Sequence, residues 1–272
     1  MKEINIPNTG LKVSRLGFGT ASLHHLLSES KKKDLVNYAL DLGFTHFDTA
    51  PLYGEGLTEK TLGNCLRSRR NEITLATKIG IFPNPLLKQF PALMYGEKIF
   101  NRFSRSLFPT RQPSSPRRSL EQKLVENSLQ SSLKALQTDW LDVLFIHEPQ
   151  ISDIPLLLNL ADWLDKKKKS GVVRYLGLAG ESRNCVQIAL NIPHLFDILQ
   201  VEDSIDGQES NFVVSAGFPK QITFGYLRKS SEPNNSIDGK EVIKKALIQN
   251  SHGMILVSSR NFARLKMLES LT

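Results

Sequence analysis

Short apolar runs recur along the chain at 16–19, 45–48, 73–78, 143–147, 172–178, 198–201, 222–224 and 254–257. Most are too brief and too uniformly apolar to have one face in water, which is the pattern of strands buried on both faces of a parallel sheet. The segments between them follow a helical period. In 31–42, Leu35, Val36, Ala39, Leu40 and Leu42 fall largely on one side, and in 121–136 Leu124, Val125, Leu129, Leu133 and Leu136 do the same. Residues 154–169, 238–249 and 262–271 supply further helices. Repeated strand–helix units with right-handed crossovers predict an α/β fold, a (β/α)8 TIM barrel spanning 1–272 as a single domain. The length of 272 residues suits it, since such barrels take about 250. The competing doubly wound sheet requires a glycine-rich phosphate loop after its first strand, and Gly17-Phe-Gly19-Thr20 has no G-x-G-x-x-G continuation.

Two regions break this rhythm. Residues 82–118 follow the third strand and far exceed an ordinary βα loop of a few residues. Six prolines punctuate them (Pro83, Pro85, Pro91, Pro109, Pro113 and Pro116), and 93–107 has the composition of a short basic, aromatic helix. A loop placed here lies on the catalytic face of a barrel and is a candidate lid. The second region, 203–220, is weakly patterned and leaves the sixth helix short. Residues 230–239 are polar and predict a loop.

Charge changes this picture little. The net charge is +8, but 82–118 carries seven basic residues against the single acid Glu97, so most of the excess belongs to the insertion. The Lys166-Lys-Lys-Lys169 run closes a predicted helix, where cations suit the negative end of the dipole. No nucleic-acid partner is predicted. An apolar share of 40% supports a sizeable core, and no apolar run approaches the roughly 18 residues of a membrane span. The N-terminal Met1-Lys-Glu-Ile-Asn-Ile-Pro lacks the h-region of a secretory signal. Cys65 and Cys185 sit inside helix-like stretches without metal-ligand spacing, so no metal is predicted. These features point to a soluble cytoplasmic protein of open oligomeric state.

The candidate chemistry lies at strand ends. Asp48, Tyr53, Lys78 and His147 each stand at or just beyond the end of a predicted strand. In a parallel barrel those ends converge on one face, so residues distant in sequence become neighbours. A free tyrosine has a pKa of about 10, too high for efficient acid–base work at neutral pH. A lysine ammonium about 4 Å away, at an effective dielectric of about 20, favours phenolate by roughly 4 kcal/mol. That is about three pKa units before desolvation opposes part of it. Asp48 behind Lys78 keeps the amine protonated, Tyr53 becomes a proton donor to an oxygen gaining negative charge, and His147 orients that oxygen. Such a set suits reduction of a carbonyl. No side chain donates hydride, so a nicotinamide cofactor is implied. Taken singly, each residue has a plainer role: Asp48 in the turn before Pro51, Tyr53 in the core, Lys78 at the surface, His147 as a satisfied buried histidine.

The sequence resembles the aldo-keto reductase family over nearly its whole length. The stretch 8–20, Asn8-Thr-Gly-Leu-Lys-Val-Ser-Arg-Leu-Gly-Phe-Gly-Thr20, resembles the family's opening strand region. Its most specific signature is matched by 47–63, which opens Phe47-Asp-Thr-Ala-Pro-Leu-Tyr-Gly, and the entry to the fifth strand by Gly171-Val-Val-Arg-Tyr-Leu-Gly-Leu178. The resemblance implies that Asp48, Tyr53, Lys78 and His147 form the catalytic tetrad, with Tyr53 as general acid. It also implies NADPH/NADP+ laid across the barrel mouth without a Rossmann domain, and a small-molecule carbonyl substrate: an aldehyde, ketone or sugar. Gly19, Thr20 and Asp48 match positions near the nicotinamide and its ribose, and Gln200 matches the carboxamide-binding glutamine. Ser258, Arg260 and Arg264 match the adenosine-phosphate segment, where guanidinium groups suit phosphate geometry.

The sequence departs from the family in three places. The family commonly has Ser-Asn after the fifth strand, where this chain has Ala179-Gly180. After the seventh it commonly has a tyrosine that stacks on the nicotinamide; here Gly225 takes that place, with Tyr226 one position late. A frequent adenine-contacting asparagine falls at about Leu268. The sequence thus predicts an intact tetrad in a thinned cofactor cradle. The alternative function it suggests is a cofactor-binding regulatory or scaffold protein of the same fold with weak or no turnover.

Overall fold

The computed structural model describes residues 1–84, 117–229 and 238–272. The insertion's residues 85–116, including the expected helix at 93–107 and the candidate lid, lie outside the described residues, as do 230–237 of the polar loop. Eight parallel strands close into a barrel: β1 Leu16–Gly19, β2 His46–Asp48, β3 Thr74–Ile79, β4 Leu141–His147, β5 Val173–Gly180, β6 Ile198–Glu202, β7 Ile222–Phe224 and β8 Met254–Val257. Each pairs with the next in sequence, and β8 returns to β1 through Ile255↔Leu16 and its neighbours. All eight apolar runs predicted as strands take these places.

The strand period of two sorts the side chains into two cores. Ala76, Val143, Phe145, Ala179, Ile198, Ile222 and Met254 point inward and pack together. Phe145 fills the interior because its register partner is Gly177; a methyl group there would lie 2.5 Å from the Phe145 ring. Ile6, Leu11 and Val13 close this inner core from below. They belong to an antiparallel hairpin, Glu3–Asn5 with Lys12–Ser14, whose three-residue strands were too short to predict.

Outward-facing Phe18, Phe47, Leu75, Leu144, Leu176 and Leu178 meet the helices in the second core. Among the described residues the α-helices are α1 Glu29–Asp41, α2 Leu57–Leu66, α3 Gln122–Leu136, α4 Ile154–Lys169, α5 Ser182–Asn191, α6 Asn211–Ser215, α7 Tyr226–Lys229, α8 Gly239–Gln249 and α9 Phe262–Glu269. Ser28, Asp238 and Asn261 cap α1, α8 and α9 by accepting from backbone N–H groups of the first turn. The sixth unit is short, as expected, with only the five-residue α6 after β6. Cys65 lies in α2 and Cys185 in α5, both as free thiols.

The lysine run at the end of α4 does more than face solvent. Lys167 pairs with Glu126 on α3 at 3.0 Å, and Lys169 pairs with Asp165 one turn back. Lys168 pairs at 2.6 Å with Asp197, whose carboxylate also accepts from the Leu176 N–H in β5. Ile81–Phe82 and Arg117–Arg118 pair antiparallel and form the root of the insertion. Among the described residues, no helix is long and apolar enough to cross a membrane.

The lower end of β4 is held by charge. Asp142 is fully buried and accepts from Arg70 at 2.9 Å, Arg174 at 3.0 Å and the Leu75 backbone N–H at 2.8 Å. Both guanidinium groups also lie over the Trp140 ring, at 3.4 Å and 4.1 Å from its centroid. Asp142→Ala leaves the largely buried Arg70 cation without its carboxylate. We expect it to lower unfolding free energy by about 3 kcal/mol. In urea this appears as a lower midpoint with an unchanged slope; an unchanged midpoint would assign the floor's stability to the hairpin alone.

Candidate active site

Strand alternation delivers the site residues to the inside of the barrel mouth. Ala76 points inward, so Lys78, two residues on, does as well; Val143 and Phe145 put His147 inside in the same way, and Ile198 does so for Gln200. Register then sets their level: His147 pairs with Ala179, and Ala179 with Gln200, across β4, β5 and β6. Asp48 ends β2. Its carbonyl accepts from both the backbone N–H and the hydroxyl of Thr20, at 3.0 Å and 2.9 Å, which fixes the end of β2 against β1.

Tyr53 reaches the mouth from a tight turn. Gly54, Glu55 and Gly56 are all left-handed, with φ of 60°, 55° and 88°, so the chain reverses directly after Tyr53. Only Glu55 lacks glycine's freedom there. Its carboxylate accepts from the Asn84 backbone N–H at 2.6 Å, which ties the turn to the root of the insertion.

These elements converge on a cavity of about 560 Å³ lined by Gly19, Asp48, Tyr53, Lys78, His147, Glu148, Ala179, Gln200, Gly225, Arg228, Ser258 and Arg264, among others. Lys78 is 2% exposed and donates to Asp48 Oδ1 at 2.6 Å and to the Thr49 carbonyl at 2.9 Å. Burial works against its ammonium, but Asp48 and Tyr53 outweigh burial, and its pKa lies above the ordinary lysine value. The ammonium sits 5.1 Å from the Tyr53 ring centroid, and the Tyr53 and His147 rings meet edge to face at 5.9 Å.

The titration of Tyr53 differs from the sequence-based arithmetic. Burial raises its pKa above the ordinary phenol value, and Lys78 recovers only part of that shift. The phenol is therefore firmly protonated. His147 moves the other way: burial first, then the charges of Lys78 and Arg118, bring it down to about 3. It is a neutral imidazole at physiological pH, with one N–H to donate. Below it, His46 is likewise neutral, at about 3, with Nδ1 2.8 Å from the Thr74 hydroxyl.

The remaining sequence candidates divide. Gly19, Gln200, Ser258 and Arg264 line the cavity. Thr20 is fully buried beside it with its hydroxyl engaged on Asp48. Arg260 is exposed at the surface just before α9. Ser258 bonds Ser22 at 2.7 Å, joining the loops after β8 and β1.

The three departures acquire physical meaning. Leu268 is fully buried in the outer core. Tyr226 is also buried, its hydroxyl donating to Asp203 at 2.6 Å, which anchors the end of β7 at the edge of the cavity it helps to line. Gly225 has φ of 102°, and a Cβ there would lie 3.0 Å from the Glu202 side chain, which pairs with Arg228. At Gly180 a Cβ would lie 3.0 Å from Glu148 Oε2. Each bare position is thus covered by a glutamate of the neighbouring strand or its following residue. Sequence reasoning missed Glu148 and Arg228 as cavity residues, and Glu202 as the partner that holds Arg228. The available signal was position: Glu148 directly follows His147, and Glu202 lies two residues after Gln200.

Comparison with known proteins agrees with this geometry. A model of the aldo/keto reductase family matches residues 15–205. The chain is 31% identical over 176 residues to a D-threo-aldose 1-dehydrogenase from Pseudomonas sp, covering 62% of this chain and 50% of that one. It spans about half the length of the curated relatives it matches. Among solved structures, the holo form of the aldo-keto reductase AKR11C1 from Bacillus halodurans superposes with a TM-score of 0.76 at 20% identity, covering 100% of this chain and 90% of that one. An aldo-keto reductase from Klebsiella pneumoniae in complex with NADPH gives 0.69 at 14% identity, over 100% and 90%. With a barrel closed in sequence order and a family match across its first six strands, the chain belongs to the aldo/keto reductase family.

Proposed function

We propose that this chain is a cytoplasmic oxidoreductase that reduces an aldehyde, ketone or sugar carbonyl to an alcohol with NADPH, Tyr53 acting as general acid. The observation that carries the reading is the meeting of a protonated Tyr53, a neutral His147 and the Lys78–Asp48 pair in one cavity. Reduction builds negative charge on the carbonyl oxygen, and Tyr53, His147 and the Lys78 ammonium meet it with two donors and a cation. Tyr53 gives the proton, His147 donates a hydrogen bond that orients the oxygen, and Lys78 stabilises the phenolate left behind. Asp48 holds the Lys78 ammonium charged in a setting where burial alone would discharge it.

The residues present suit the cofactor. Gln200 is 2% exposed and its Oε1 has no partner among the described residues, as suits an acceptor for an amide N–H. Ser258 and Arg264 line the cavity at the entrance to α9, where backbone N–H groups and a guanidinium favour phosphate. When bound, reduced nicotinamide supplies the hydride that no side chain can. The dehydrogenase and NADPH-bound relatives support this choice, the aldose enzyme favours a sugar carbonyl, and the free thiols of Cys65 and Cys185 support a reducing compartment.

Two measurements test the assignment. With NADPH and a carbonyl panel, Tyr53→Phe should lower kcat by about 10²- to 10⁴-fold while cofactor binding survives. Retained turnover would remove Tyr53 from the mechanism. The second is the pH profile of carbonyl reduction. Because burial raises Tyr53, the proton donor persists to alkaline pH, and because His147 lies at about 3, its donor pattern is constant across neutrality. The rate should stay flat through neutral pH and fall only as strongly alkaline solution ionises Tyr53. A break near the ordinary histidine value of about 6.5 would show His147 titrating instead.

A further inference from the structure

The cavity has two chemically opposite sides. Tyr53, His147 and Lys78 present donors, which suit the oxygen of a carbonyl. Across the end of β5 lie acceptors. Gln200 flanks Ala179 from β6, with Oε1 buried and without a partner among the described residues, because Asp48 takes the N–H side of its amide. From the β4 side comes Glu148, its backbone N–H on the Ala179 carbonyl at 2.7 Å and its Oε2 over Gly180.

Glu148 stands there at a conformational cost. Its φ is 48°, a left-handed backbone that disfavours any residue with a Cβ, and Pro149 follows it. The Glu148 Cα and Pro149 Cδ lie 3.1 and 3.3 Å from a Cβ built on Gly180, so a side chain at 180 would press on rigid atoms and displace the carboxylate. The Arg118 guanidinium donates to the Glu148 carbonyl and to Asp153; no hydrogen bond to the Glu148 carboxylate is found among the described residues. A strained residue whose carboxylate faces a cavity, against a glycine where a Cβ would crowd it, is a site feature.

The reacting carbonyl group itself offers no donor to these two acceptors. A primary amide offers two N–H groups on one nitrogen. We propose that Glu148 is a cofactor-binding residue, which with Gln200 accepts the two N–H donors of the nicotinamide carboxamide across the bare end of β5. This rests on the NADP(H) reading above, and it places the amide's recognition on an acid from β4 where β5 has no side chain to give.

The test is a fluorescence titration of the full chain with NADP+ and with its acetylpyridine analogue, in which a methyl ketone replaces the amide and no N–H remains. The wild type should prefer NADP+ by about ten- to a hundredfold, the range for hydrogen bonds that include one to a charged group. Glu148→Ala should shrink that preference severalfold or more, while Glu148→Gln, which keeps an acceptor oxygen, should retain an intermediate value. Glu148 is exposed, so these variants should melt with the wild type. Equal wild-type affinity for the two dinucleotides, or a preference that survives Glu148→Ala, overturns the proposal alone. Failure of the wild type to bind either dinucleotide overturns the NADP(H) reading on which it stands.

Discussion

The barrel mouth depends on one buried ion pair. Lys78 and Asp48 are each 2% exposed in their side chains, and the penalty for taking such ions out of water is several kcal/mol apiece. The pair persists because the ammonium's three donors are directed to Asp48, the Thr49 carbonyl and the Tyr53 side. The carboxylate in turn is held by its own backbone, clamped twice by Thr20. Removing either charge strands the other inside the barrel. The strand ends around it are therefore constrained together: β1 by Thr20, β2 by Asp48, β3 by Lys78. The electrostatics of His147 follow from the same ammonium, which joins burial in keeping that imidazole neutral.

What the sequence made legible follows from how strongly each feature is encoded. A strand covered on both faces must be apolar throughout, so the eight barrel strands could be located directly, and a period of two then predicts that Lys78, His147 and Gln200 face the same interior. Features without a period were hidden. The floor hairpin has three residues a side. The turn after Tyr53 depends on three left-handed residues and a bond from Glu55 to a backbone group in another loop. Tyr53's titration could not be read from sequence either. The charge of Lys78 could be counted there, but the extent of burial, which outweighs it, is a property of the closed cavity.

The glycines at 180 and 225 show how spacing can mislead about content. By position they suggest a cradle with pieces missing. In space, Glu148 covers one and Glu202, paired with Arg228, covers the other. The space beside each glycine is taken by an acid from the adjoining strand or the residue that follows it. Tyr226, one place after the expected aromatic, is committed to Asp203 and Thr223 beneath the mouth. The hydroxyl of this ring thus pins the end of β7 to the scaffold.

The hairpin that packs Ile6, Leu11 and Val13 against the inner core has a mechanical meaning. It plugs the lower end of a barrel whose interior is already filled, so the cavity that holds Asp48, Tyr53, Lys78 and His147 lies at the opposite end, among the loops that follow the strands. A change in the floor therefore reaches those residues through the stability of the scaffold, whereas a change in the loops reaches them directly.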